Sequence, residues 1–99
     1  MIIIIVRASV KKENSHIFEK RLESVSGAAL RLEGCNMYEW YKNPQEETSY
    51  VVYGEFQSMN HFREYKKSSV VETIVSQIIP LTTAKPTFKH FQGEVFEQG

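Results

Sequence analysis

Residues 48–56 read TSYVVYGEF, and this run predicts a β-strand with bulky apolar side chains on both of its faces. Side chains alternate along a strand, so the apolar residues divide into two sets. One set is Tyr50, Val52 and Phe56, and the other is Val51 and Tyr53. A strand of this composition must be covered by other structure on each side.

Further strands are predicted on either side of this one along the chain. Residues 36–42 form the first strand of a hairpin, because the polar residues 43–47 predict a turn between the two. That strand also has two apolar sets, Tyr38 with Trp40 and Met37 with Tyr41. Residues 2–6 are β-branched without a break, which is typical of a strand covered on both faces. Residues 88–96 form a last strand, weakened by Gly93.

The segment between the first strand and the hairpin predicts a helix of about five turns. Its apolar stripe recurs at steps of four and three residues: Phe18, Leu22, Val25, Ala29 and Leu32. We expect Asn14 or Ser15 to cap the start of this helix and Gly34 to end it.

A second helical region is predicted between the hairpin and the last strand. Ser58 opens a short helix that carries Phe62 and Tyr65. A further helical piece begins near Ser69, which has capping-box spacing to Glu72. Its expected buried face is Val71, Ile74, Val75 and Ile78, and Pro80 is expected to end it.

The order of these elements predicts one α+β domain over residues 1–99. It matches a ferredoxin-like sandwich, β-α-β-β-α-β, with the helices on one face of a mainly antiparallel sheet. The helices of one chain cover only one face, so the second apolar face predicts a homodimer that closes into an α+β barrel. The alternative is that the aromatic side chains of that face form an exposed patch.

Composition and charge narrow the range of partners. Twelve Lys and Arg balance twelve Asp and Glu, so neither nucleic acid nor an anionic membrane surface is an expected partner. The apolar residues 2–6 are too few to span a bilayer and are not preceded by a basic region, so they predict a strand and not a signal segment. The single cysteine, Cys35, forms no internal disulfide, which favours a cytoplasmic location.

The sequence predicts no metal and no nucleotide cofactor. His16, His61, His90 and Cys35 lack the close paired spacings of zinc sites. The five glycines do not form a phosphate loop or a dinucleotide-binding fingerprint.

Several short motifs resemble those of one known family. They are Glu33-Gly34-Cys35 followed by Tyr38, then Phe56-Gln57-Ser58, then Phe62 with Tyr65, and finally Ser68 with Val71. On these motifs the chain resembles the antibiotic biosynthesis monooxygenase (ABM) family of the dimeric α+β-barrel superfamily, over nearly its whole length. It departs from the family pattern at three positions, where Phe56 replaces the usual tryptophan, Gly54 the usual glutamate and Tyr65 the frequent histidine.

The resemblance implies a cofactor-independent monooxygenase. Members of the family bind flat aromatic substrates between the sheet and the helices, and oxygenate them without metal, haem or flavin. Such chemistry needs an electron-rich phenol or quinol as its own reductant, and protein groups that remove its proton and stabilise the anion. The expected substrate is therefore a small phenolic or quinol compound, with no cofactor.

The candidate catalytic residues are Tyr65, His61 and Glu55. Tyr65 is expected to donate a hydrogen bond to the substrate, although a plain core tyrosine fits the same position. His61, like His16, is a candidate general base or is simply solvated. Glu55 either acts as a base in an apolar setting, pairs with Arg7, or is exposed at the end of its strand.

The candidate substrate contacts are Phe56, Phe62, Tyr38, Trp40 and Arg7. Phe56 supplies either a wall of the pocket or ordinary core packing. His90 alternates with Phe88 on the last strand and is a candidate for catalysis or for a dimer contact.

Three other functions are open from the sequence. A small-molecule-binding or stress-associated dimer that keeps the barrel without catalysis fits the missing tryptophan and histidine. Haem degradation needs an axial histidine on the second helical segment, and residues 71–79 contain none. Isomerases of sugar-like phosphates need a cationic pocket, for which the only candidates are Arg7 and Arg63.

Overall fold

The computed structural model describes residues 1–99 and has the predicted α+β fold, with helices on one face of a four-stranded antiparallel sheet. The strands are β1 (Ile2–Ser9), β2 (Cys35–Asn43), β3 (Glu46–Phe56) and β4 (Thr87–Gln92). The helices are α1 (Ser15–Leu30), α2 (Met59–Lys66) and α3 (Ser69–Thr73). The strand order β2-β3-β1-β4 is that of a ferredoxin-like sandwich. None of the helices has the length and hydrophobicity needed to cross a bilayer.

The core lies between the helices and one face of the sheet, where 14 buried apolar residues form a single cluster. The predicted stripe of α1 is confirmed, since Phe18, Leu22, Val25 and Ala29 are all buried. Leu32 lies beyond the end of the helix and is half-buried. The helix-facing set of β3 enters the same core, with Tyr50 and Phe56 among its most buried side chains.

Of the predicted caps of α1, Asn14 does occupy the N-cap position, whereas Ser15 lies inside the helix and Gly34 beyond its end. Asn14 precedes the helix but makes no side-chain cap hydrogen bond. The Ser15 hydroxyl donates to the Lys12 carbonyl at 2.8 Å, because a short 3₁₀ turn leads into the helix. Gly34 does not end the helix either, since α1 stops at Leu30; its φ of +79° lies in the turn before β2, where glycine is favoured.

The predicted capping box at the start of α3 is also wrong. The residue before α3 is Ser68, so Ser69 lies inside the helix and not at its cap. The Ser68 hydroxyl donates to the Tyr65 carbonyl at 2.6 Å, which satisfies an acceptor at the end of α2 instead.

A π-helical turn changes the buried face of the segment that follows α3. The turn spans Ile74–Ile78 and leads into a 3₁₀ turn, Ile79–Leu81, which contains Pro80. Val75, predicted to be buried, is 56% exposed, and Val70 is buried instead. Val70 belongs to α3 and lies one helical turn before Ile74, so these two residues share a face, and the π turn brings Ile78 onto the same side.

The last strand is shorter than predicted. β4 ends at Gln92, because this residue already pairs with Ile2 at the start of β1 and no ladder remains to extend it. Gly93 follows the strand, and its N–H donates to the Met1 carbonyl at 3.0 Å. Phe96, predicted within the strand, is 98% exposed.

The second face of the sheet carries the other apolar set and is not covered by any helix of the subunit. Half-buried apolar residues on this face are Ile3, Ile5, Met37, Val51 and Tyr53. Tyr41 and Phe91 are exposed there, at 51% and 49%. Within one subunit, β1 is therefore fully buried only on the side that faces the helices, and the homodimer stays a prediction.

Candidate functional site

An apolar cavity of about 60 Å³ lies between the sheet and the helices. Its walls come from β1, β2, β3 and β4 on one side and from α1, α2 and the π turn on the other. Its lining has three polar side chains, Tyr38, Tyr65 and Thr82. The Thr82 hydroxyl donates to the Ile79 carbonyl at 2.7 Å, so the two phenol groups are the polar groups left for a ligand.

The two phenols meet across the cavity wall. The hydroxyl of Tyr38 on β2 lies 2.8 Å from the hydroxyl of Tyr65 on α2, and both side chains are buried. Their rings are 5.9 Å apart between centroids. In such a pair one hydroxyl donates to the other, and the accepting hydroxyl keeps its own proton for a third partner.

Burial changes the acid–base character of both phenols. It raises the pKa of Tyr65 to about 12. Burial and the neighbouring Tyr65 also raise the pKa of Tyr38 above its ordinary value. Both groups are therefore neutral at neutral pH, where they donate hydrogen bonds and do not remove protons.

Gly54 makes room for Tyr38. It pairs with Ile4 on β1 and with Tyr38 on β2, on the side of the sheet that faces the helices. A Cβ at this position would lie 3.0 Å from Ile4 Cγ1 and 3.2 Å from Tyr38 Cδ2. The absence of a side chain thus lets the Tyr38 ring lie against β3 and reach the hydroxyl of Tyr65.

Phe56 supports Tyr65 from behind the cavity. It is fully buried, its ring centroid lies 4.6 Å from that of Tyr65, and it does not line the cavity. Phe62 is buried next to both and lines a separate groove beside β4. These two predicted substrate contacts therefore do not touch the cavity itself.

Trp40 and His61 lie at surface clefts outside the cavity. The Trp40 indole donates to Glu23 at 2.9 Å, beside the edge strand β2. The His61 ring nitrogen Nδ1 lies 2.7 Å from the hydroxyl of Ser58, which also caps α2. His61 shares a cleft of about 360 Å³ with Tyr65, but this cleft does not include Tyr38.

Glu55 and Arg7 lie on the opposite face of the sheet, away from the cavity. Glu55 pairs with Ile3 and accepts a hydrogen bond from Tyr53 at 2.7 Å. Arg7 lies four positions further along β1, about 13 Å away at the usual rise of a strand. The Glu55–Arg7 ion pair, one of the alternatives open from the sequence, is therefore absent, and the structure does not bring either residue together with Tyr65.

The remaining candidates are spread over the fold. His16 is exposed on α1, and His90 faces the helices with its ring centroid 5.1 Å from that of Phe62. The half-buried Cys35 thiol donates to the Met37 carbonyl at 3.6 Å, and burial raises its pKa, so it is a thiol and not a thiolate at neutral pH. No three His, Cys, Asp or Glu side chains come together.

A sequence profile of the antibiotic biosynthesis monooxygenase family matches residues 1–94. The chain belongs to this family. No curated protein sequence matches it significantly.

Solved structures show how closely the ABM fold is kept at low sequence identity. A Deinococcus radiodurans protein named as a candidate ABM has a TM-score of 0.90 over 100% of this chain and 99% of its own, at 14% identity. One from Nitrosomonas europaea with the same designation has a TM-score of 0.86 over 94% and 98%, at 17% identity. A conserved protein from Methanosarcina mazei has a TM-score of 0.87 over 94% and 92%, at 16% identity.

Some parts of this ABM site were not predicted from the sequence. The α1 stripe, predicted only as core, supplies Phe18, Leu22 and Val25 to the cavity wall. Ile78 and Ile79 reach the wall through the π and 3₁₀ turns, and no sequence signal marks a π turn. Tyr38 and Tyr65 were each singled out, but their mutual hydrogen bond depends on long-range packing that periodicity does not report.

Proposed function

We propose that this ABM-family chain is a monooxygenase that oxygenates a small phenol or quinol without a cofactor. The observation that carries the proposal is the Tyr38–Tyr65 hydroxyl pair in the wall of an otherwise apolar cavity. Membership of the ABM family supports the reaction type, and the apolar lining supports an aromatic substrate.

The chemistry assigned to the substrate balances without a further reductant. The phenol oxygen accepts a hydrogen bond from the tyrosine pair, and O₂ attacks the electron-rich ring. One oxygen atom replaces a ring hydrogen and becomes a carbonyl, and the other leaves as water. The substrate supplies all four electrons and ends as a quinone, so O₂ is the only oxidant.

The tyrosine pair acts by stabilising negative charge on the substrate oxygen. Because both phenols are neutral, the hydroxyl of the pair that keeps its proton free donates to the substrate oxygen, and this hydrogen bond strengthens as the substrate becomes a phenolate. No carboxylate or imidazole lines the cavity, so the substrate proton leaves to water. Substrates whose hydroxyl ionises readily are therefore preferred.

Substrate binding requires the cavity to enlarge. Its volume of about 60 Å³ holds a few water molecules, whereas ligand pockets usually span roughly 300–1,000 Å³. We expect the wall formed by the π turn to shift when the substrate binds, because the backbone hydrogen bonding of this turn is irregular. Closure around the substrate then excludes water from the reacting atoms.

The same proposal includes a homodimer and a cytoplasmic location. Two copies that join their open sheet faces bury the half-exposed apolar set of β1, β2 and β3, as expected for a two-fold contact. A lone free cysteine suits a reducing compartment.

The direct test is aerobic and anaerobic incubation with a panel of naphthols and hydroquinones. We expect an oxygen-dependent quinone that carries one atom of labelled O₂, and loss of this activity in Tyr65→Phe. Tyr53→Phe is the matched control, because Tyr53 lies on the opposite sheet face and bonds only to Glu55. No oxygen-dependent product with any compound would contradict the proposal.

A second candidate is a dimer that binds aromatic compounds without oxidising them. The small cavity and its lack of a base favour this alternative. It predicts saturable binding of naphthols that Tyr65→Phe weakens, with no oxygen consumption under any condition.

A further inference from the structure

We infer that the substrate is an aromatic acid, which enters along the groove beside β4 and places its carboxylate at Lys66 and its phenol at the Tyr38–Tyr65 pair. This inference rests on the proposed function, because it names the substrate class and the entry route of the same site.

The groove beside β4 leads towards the inner cavity. It has a volume of about 180 Å³ and lies between β4, β1 and the helices α2 and α3. Five side chains line both spaces: Val6, Tyr65, Ile74, Ile79 and Phe88. The groove and the cavity are therefore separated by side chains and not by the backbone of a strand or helix.

Three of the five separating side chains lie in irregular turns or on an edge strand. Ile74 and Ile79 come from the π and 3₁₀ turns, and π turns occur often at functional sites. Phe88 is 49% exposed on the edge strand β4. In this inference, rotation of Phe88, Ile74 and Ile79 joins the groove and the cavity without breaking the sheet. Phe88 is the exposed one of the three, and rotamer changes of exposed side chains are fast.

The two ends of the joined space differ in charge. The inner cavity is lined by no charged side chain. The groove is lined by Lys66 and His90, besides Tyr65, and by no carboxylate. The Lys66 ammonium group is available to a ligand, because it takes part in no salt bridge; the lysine that does is Lys42, which pairs with Glu19.

Lys66 lies over the ring of Phe62 at the groove, where its ammonium group can contact the carboxylate of a flat ligand. Its Nζ lies 5.1 Å from the centroid of the Phe62 ring, which lines the same groove. An aromatic ring in the groove packs against Phe62 while its carboxylate meets the ammonium group. Charge complementarity thus selects an acid at the outer end, and the neutral tyrosines select a phenol oxygen at the inner end.

The test compares 6-hydroxy-2-naphthoate with 2-naphthol, which differ by one carboxylate, in titrations of the full chain at low salt. We expect tighter binding of the acid, and a loss of about two- to fivefold in its affinity in Lys66→Gln, with little change for 2-naphthol. Lys67→Gln is the matched control, since Lys67 is the next residue and lines the separate cleft beside His61. Added salt should weaken the preference for the acid.

Different failures are distinguishable. If 2-naphthol binds and is oxidised but the acid binds no tighter, or if Lys66→Gln weakens both ligands equally, the aromatic-acid inference is overturned and the proposed function stands. If neither compound binds the unmodified protein, the aromatic-acid inference and the proposed function are both contradicted.

Discussion

The hydroxyl of Tyr38 and the hydroxyl of Tyr65 lie 2.8 Å apart, which joins the edge strand β2 to helix α2 beside the inner cavity. Neither group has an ionised partner, and both pKa values are raised. The pair is therefore a structural bond, and in the proposed function it is also the group that binds the ligand, so substitutions should separate these two roles.

The first prediction is a double-mutant cycle on stability. Tyr65→Phe and Tyr38→Phe should each lower the free energy of unfolding by about 1–3 kcal/mol, because each leaves one buried hydroxyl without a partner. The double variant should lose less than the sum, since no unpaired hydroxyl remains. Urea denaturation measures all four proteins, and strictly additive losses would contradict the coupling.

The same variants should affect the reaction differently from stability. Tyr65→Phe breaks the hydroxyl pair that stabilises the developing phenolate in the proposed function, so kcat/KM should fall by about ten- to a hundredfold. Restoring the lost stability by a lower assay temperature should not restore the rate. A variant with full activity would show that Tyr65 is only a core residue.

The second prediction concerns alkaline pH. The folded state keeps the Tyr65 hydroxyl protonated up to a pKa of about 12, whereas the unfolded chain loses this proton at the ordinary tyrosine pKa of 10.0. Stability from this group is therefore present below pH 10 and is lost as the pH rises from 10 towards 12. The near-ultraviolet absorbance of the phenolate follows the titration.

Other tyrosines contribute to the same alkaline loss. Hydrogen bonding to Glu55 raises the pKa of Tyr53 to about 12, and burial raises that of Tyr50. The variant with both Tyr38→Phe and Tyr65→Phe should therefore lose stability less steeply above pH 10 than the unmodified protein, without losing the dependence altogether. An unchanged slope would argue against neutral, buried phenols at this pair.

The third prediction tests the space that Gly54 leaves for Tyr38. Gly54→Ala should destabilise the fold by about 1–3 kcal/mol, because the added methyl group meets Ile4 and the Tyr38 ring. Gly93→Ala is the control, since nothing lies within 4 Å of a Cβ there, and its effect should stay within about 0.5 kcal/mol. Thermal unfolding compares the two, and equal effects would contradict the close approach.

The fourth prediction concerns self-association. Sedimentation at micromolar concentration should give a dimer, and Phe91→Glu should shift it towards monomer because it places a charge in the apolar sheet face. Lys11→Glu, an exposed change outside the strands, should leave the dimer intact. A stable monomer of the unmodified chain would remove the case for a barrel.

The sequence predicted those features that depend on local periodicity. The stripe of α1 and the two faces of β3 follow from spacing alone, and they placed Phe18 and Phe56 in the core. The family motifs also pointed to Tyr65. Features that depend on distant contacts were missed, such as the pairing of Gln92 with Ile2 that ends β4 and the π turn in which Val75 is exposed.

The residues of the candidate site also differ in how far local sequence predicts them. Tyr38 and Tyr65 were found because residue type and helix or strand position favoured them. Glu55 and Arg7 share one sheet face, as their alternation requires, but only the register with β1 sets their separation. Such registers are fixed by the whole hairpin and the strand beside it, so a single sequence does not reveal them.

β4 is attached to the rest of the sheet through β1 alone, and all six of its residues are exposed. Its amide protons should therefore exchange with solvent well before those of β1 and β3, because detaching this strand uncovers little apolar surface. Phe88 lies on β4 and lines the cavity. Local fraying of β4 would therefore open and close the outer wall of the cavity faster than the whole chain unfolds.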